Sequence, residues 1–155
     1  MREVDRIADQ LRRAMSGPAW HGPSLTELLA DVGAETAAAR PLEGRHTIWE
    51  LVLHITAWRN VVRDRLAGHA LDNPREGDWP AVPAPSAAAW QHALSTLRES
   101  ADRLIRAVEA LDDAELDREL PPSRDTIYGN LHGVVQHDLY HGGQIGLLKL
   151  VLAPR

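Results

Sequence analysis

Thr47-Ile48-Trp49-Glu50-Leu51-Val52-Leu53-His54-Ile55-Thr56-Ala57-Trp58 opens with a threonine and a glutamate three residues apart. That spacing is a capping box, in which each side chain satisfies a backbone N–H of the first helical turn. Leu51, His54/Ile55, Trp58, Val61/Val62 and Leu66 then recur every three to four residues, the period of a helix buried along one face. The pattern predicts a helix that stops near Gly68, with His54 on its inward stripe.

Working outward, Val4, Ile7, Leu11 and Met15 predict a first helix over Arg2 to Ser16. It pauses at Gly17-Pro18-Ala19-Trp20-His21-Gly22-Pro23 and resumes at a second capping box, Ser24-Leu25-Thr26-Glu27, carrying Leu28, Leu29 and Val32. Downstream, Leu71 to Pro85 is rich in proline, glycine and aspartate and reads as a long crossover loop. Ser86 is the expected cap of a third helix, with Trp90, Leu94, Leu97, Ala101, Leu104, Val108 and Leu111 inward. After Pro121-Pro122, Ser123 or Asp125 is the expected cap of a fourth, ending near Leu152. Four amphipathic helices and one long connection predict an all-α four-helix bundle spanning residues 1–155 as a single domain.

The composition narrows the functions open to such a bundle. The net charge is -5, Lys149 is the only lysine, and no basic stripe exists, which argues against nucleic-acid binding. The longest apolar run, Ile145 to Ala153, is interrupted by Lys149 and too short to span a bilayer. Met1-Arg2-Glu3-Val4-Asp5-Arg6 is unlike a signal peptide, so a cytoplasmic location is expected. Cysteine is absent, which removes thiolate ligands and cysteine nucleophiles. Any thiol chemistry would use a thiol carried by a small molecule.

The strongest chemical signal is His137-Asp138-Leu139-Tyr140-His141-Gly142-Gly143-Gln144. Residues four apart on a helix share a face, so His137 and His141 point the same way, with Gln144 close to their stripe. Ile127, Leu131, Val134, Ile145 and Leu148 lie on or beside that stripe, whereas His132 falls about 140° away and is expected outside. Three imidazoles on buried stripes of two helices need partners for their nitrogens. They are either hydrogen-bonded core histidines or ligands of one metal ion with a coordination position left open. Gly142, Gly143 and Gly146 serve either close helix packing or a pocket. Trp20 and His21 form either one lip of a cleft or an aromatic plug at the bundle end. Arg59 and Arg63 read first as solvated helix arginines, with pairing to the carboxylates of an anionic thiol as the alternative. His46, His69 and His92 receive no role.

Ala19-Trp20-His21-Gly22-Pro23-Ser24-Leu25, the Thr47–Trp58 stretch and Val134-Val135-Gln136-His137-Asp138-Leu139-Tyr140-His141-Gly142-Gly143-Gln144-Ile145 together resemble the DinB superfamily, which includes the YfiT-like proteins. The resemblance covers nearly the whole chain. It implies an up-down-down-up bundle with its crossover between the second and third helices, often dimeric. It also implies a divalent metal, zinc or nickel, held by His54, His137 and His141. Characterised relatives are thiol-dependent enzymes using bacillithiol or mycothiol. The implied activity is therefore transfer of a low-molecular-weight thiol to a small electrophile, with Gln144 orienting a ligand or water and Tyr140 as a candidate proton source. Two alternatives stand beside it. One is hydrolysis of a small amide or ester, with Asp138 where zinc proteases of the His-Glu-x-x-His type carry their general base. The other is a non-catalytic, stress-related metal-binding protein.

Overall fold

The computed structural model describes residues 1–153. Four long helices dominate: α1 (Glu3–Ser16), α4 (Ile48–Leu66), α5 (Ala87–Glu109) and α6 (Ile127–Leu152), with two five-residue helices, α2 (Leu25–Leu29) and α3 (Ala34–Ala38), between the first two. Among the described residues there is no strand, only two isolated bridges. Helices α5 and α6 each pack against both α1 and α4, which places α1 and α4 across the bundle from one another.

Local chemistry accounts for most boundaries. The α4 capping box forms, with Glu50 N–H donating to Thr47 Oγ1 (3.1 Å) and Thr47 N–H donating to Glu50 Oε2 (2.6 Å). Ser24 and Glu27 do the same for α2. Gly17 ends α1 at φ +76°, a conformation that suits glycine, and its N–H closes on Arg13 O at 3.0 Å. At its other end α1 is capped from a distance. Asp113, in a 3-10 turn after α5, accepts from Glu3 N–H (2.8 Å) and Val4 N–H (3.0 Å), and these bonds hold its carboxyl below the usual carboxylate range.

Two expectations need correction. Helix α6 begins after Thr126, whose hydroxyl accepts from Gly129 N–H at 3.0 Å. Ser123 and Asp125 are spent earlier, in a turn where Ser123 Oγ accepts from Asp125 N–H and Asp125 Oδ1 accepts from Thr126 N–H. The segment after Ser24 is also shorter than its apolar pattern suggested. Helix α2 stops at Leu29, Lys149 of α6 donates to its Leu28 carbonyl at 2.7 Å, and Gly33 starts a separate α3.

The core is in two parts. One gathers Trp49, Ile55, Trp90, Leu97 and Ile145 with α2 and α3; the other gathers Ile7, Leu11, Val62, Leu104, Leu131 and Val134. Between them lies a polar layer. Arg59 of α4 and Asp138 of α6 are each about 1% exposed, and Arg59 Nη2 and Nε donate to one oxygen of Asp138 at 2.7 and 3.0 Å. Arg59 also donates to Leu97 O of α5 at 3.3 Å and touches Met15 Sδ of α1. Arg59 is thus the opposite of a solvated helix arginine and reaches all four long helices. Removal from water pushes the Asp138 carboxyl above its ordinary pKa, while the guanidinium works the other way.

Stranding one charge of such a pair is costly. Asp138→Ala is expected to lower unfolding free energy by about 3–5 kcal/mol, whereas the double replacement Arg59→Met/Asp138→Leu should come within roughly 1–2 kcal/mol of wild type. Urea denaturation of the three proteins measures both.

Candidate metal centre

One turn beyond Leu51 on α4, and on α6 immediately before Asp138 and about one turn after it, the three histidines meet. Ligating nitrogens of His54, His137 and His141 all lie within 4.8 Å of one another, and the Nε2 atoms of His54 and His137 are 2.9 Å apart. His54 and His141 are buried and His137 half-buried. The Arg59–Asp138 pair sits directly beneath, five residues after His54 and next to His137 in sequence, so it fixes the register between the two ligand-bearing helices.

Each outer ring is oriented from behind. His54 Nδ1 lies 2.6 Å from the carbonyl oxygen of Asp78. A carbonyl only accepts, so Nδ1 carries the proton and Nε2 presents a bare lone pair to the cluster. His141 Nδ1 faces Gln144 Oε1 at 2.6 Å, which leaves its Nε2 bare in the same way. These are the partners that fix a tautomer in metal-ligating histidines. Burial, with His141 and His54 close by, pushes His137 down to about 3, and burial also lowers His141. The 2.9 Å contact between the Nε2 atoms is a hydrogen bond that His137 donates to His54; giving up that proton would leave three ring nitrogens turned on one point, so the residues present fit a divalent metal ion.

The crossover loop supplies the remaining wall. Asp78 accepts from Trp58 Nε1 at 2.7 Å through its carboxylate, and Trp79 lies flat on His54, centroids 3.9 Å apart and planes within 7°. On its other face Trp79 stacks on His46 at 3.4 Å. None of Asp78, Trp79 or His46 was anticipated as part of a site, and no spacing rule would have connected them to α6.

Gln144 joins the site through His141. Tyr140 stands at its exposed edge, ring centroid 5.0 Å from His141. Trp20 is fully exposed and, with His21, lines a separate hollow alongside Arg13 and Leu139, so it is neither plug nor lip. His132 is half-buried, not outside, with its ring against Tyr128 at 4.2 Å. Arg63 is half-buried and held by Asp64 and Asn60. Of the three glycines, Gly142 and Gly146 serve packing: an added Cβ would stand 3.5 Å from Leu25 and 3.6 Å from Leu28 of α2. Gly143 faces open space.

A helical bundle with three histidines from two helices aimed at one point defines a class of candidate metal-binding bundle proteins. The chain belongs to the DinB superfamily, whose family model matches residues 19–145. No curated protein and no solved structure matches it.

His54→Ala, His137→Ala and His141→Ala should each lower divalent-metal occupancy, measured by elemental analysis, to less than about one-tenth of wild type, while His132→Ala retains it. The metal-free protein has a pH signature. His137 binds a proton more readily unfolded than folded, so between the ordinary histidine value and about 3 the unfolded state carries more protons. Its contribution to stability is therefore full at neutral pH and is lost on acidification through that window. Denaturation midpoints of metal-free wild type and His137→Gln across pH 7 to 4 should converge as the pH falls.

Proposed function

We propose that this protein is a metal-dependent transferase that conjugates a low-molecular-weight thiol, of the bacillithiol or mycothiol type, to a small electrophile. The observation that carries the reading is the three-histidine cluster with its rings oriented from behind. Three protein nitrogens leave a divalent ion, zinc or nickel in this reading, with an open coordination position. When bound, such an ion lowers the pKa of a thiol and supplies a thiolate near neutral pH. The chain has no cysteine of its own, so the sulfur comes from the co-substrate.

His54, His137 and His141 would hold the ion. Asp78 and Trp79 keep the His54 ring in place, and Gln144 keeps that of His141. The thiolate sulfur forms a C–S bond at the electrophilic carbon. The displaced halide leaves, or an opened epoxide oxygen takes a proton, for which Tyr140 at the exposed edge is the assigned source. No helix among the described residues is long and apolar enough to cross a membrane, in keeping with a small-molecule substrate taken from water. The homodimer expected from the resemblance has a candidate surface in the outward face of α6, where Leu139, Leu150 and Val151 are exposed.

Hydrolysis is the weaker reading because Asp138, its candidate general base, is committed to Arg59 on the buried side of α6. Metal-loaded protein should accelerate conjugation of bacillithiol or mycothiol to monobromobimane at least about tenfold over background, and His137→Ala should abolish the acceleration. Thiol-independent cleavage of an ester probe would replace this reading with hydrolysis. Metal-loaded protein inert in both assays would favour the non-catalytic alternative.

A further inference from the structure

Beside the histidine cluster lies a hollow of about 300 Å³. Two of its walls are also supports of the cluster. Gln144, whose Oε1 meets His141, lines it from α6, and His46, stacked through Trp79 onto His54, lines it from the segment before α4. Leu51 and Leu148 are buried parts of the lining, and Leu147, more than half exposed, also borders it.

The rim is charged on one side. Arg45 lines the hollow and makes only backbone contacts: its N–H reaches Leu42 O at 3.3 Å and its carbonyl accepts from Arg40. The neighbouring cation is already neutralised, since Arg40 pairs with Glu50 at 2.8 Å. That same carboxylate is 3.6 Å from His46, so Glu50 is occupied, and exposed Arg45 has no side-chain partner among the described residues. Gln144 adds a side-chain amide nitrogen that makes no hydrogen bond among the described residues, two further donors at the border between hollow and cluster. An apolar lining, one free guanidinium and one free amide form a complementary set for a small organic anion with an apolar body.

We propose that this hollow is the substrate-recognition pocket of the centre and takes a small organic carboxylate, its apolar part on Leu51, Leu147 and Leu148 and its carboxylate on Arg45. The proposal rests on the metal-centre reading for its place in the reaction, but binding in the hollow is measurable without it.

The probe is 4-phenylbutyrate, titrated into the full-length protein, both metal-stripped and metal-loaded, and followed by backbone and side-chain amide NMR shifts. Saturable shifts at Arg45, Gln144, Leu147 and Leu148 are expected. Arg45→Gln should weaken binding about tenfold, Arg45→Lys should restore part of it, and Arg40→Gln should bind like wild type. The neutral analogue 4-phenylbutanamide should bind wild type about as weakly as the carboxylate binds Arg45→Gln. Leu147→Trp, which fills the hollow from an exposed position, should abolish binding while the far-ultraviolet circular dichroism stays native. Equal affinity of wild type and Arg45→Gln, equal binding of acid and amide, shifts mapping elsewhere, or no saturable shift would each overturn the pocket. A chain that binds the probe but no metal would uphold the pocket and overturn the centre instead.

Discussion

The Arg59–Asp138 ion pair is the constraint on which the rest of the architecture turns. Two charges removed from water oppose folding unless their geometry is met, and here one carboxylate oxygen takes two guanidinium bonds while Arg59 also reaches α5 and α1. An apolar core tolerates sliding of one helix against another better than a buried pair does, because leucines exchange neighbours at small cost. Since His54 and His137 lie within a turn and a half of its two members, the pair sets their nitrogens 2.9 Å apart. It also divides the core, so the polar layer across the bundle is one continuous feature: ion pair below, imidazoles above.

Much of the fold was legible because local chemistry and burial agree. The Thr47–Glu50 and Ser24–Glu27 boxes formed as read, and the inward stripe of α5 is buried from Trp90 to Val108, with Leu111 buried just past its end. The failures lie where local signals compete. Ser123 and Asp125 are good caps by type, but a turn used their oxygens first, leaving Thr126 to begin α6. The histidine convergence was legible because a four-residue repeat on a helix fixes a face. The surroundings were not. Arg59 looked like a solvated arginine because nothing in the sequence reveals that Asp138 sits opposite, 79 residues away.

Helix α6 carries an unusual share of this design. It supplies two of the three histidines, Gln144, Asp138 and the glycines against which α2 rests, yet the rest of its surface is nearly uncharged. Lys149 is its only lysine or arginine and is committed to Leu28 O of α2 and to Asp31 just beyond it. Amphipathic pattern therefore identifies α6 less sharply than α1 or α5. Its position follows from specific polar contacts at Asp138 and Lys149 more than from a simple apolar stripe.

His54 is oriented by a backbone oxygen, the carbonyl of Asp78. No substitution of one amino acid for another deletes a carbonyl, so the identity of residue 78 is free to drift as far as this contact is concerned. What cannot drift is the path of the crossover between α4 and α5, because an insertion or deletion there moves the acceptor off the ring. Beside the letters of Trp79 and Asp78, whose side chains meet His54 and Trp58, selection on the centre would thus appear in that segment as a fixed number of residues, a constraint written in length.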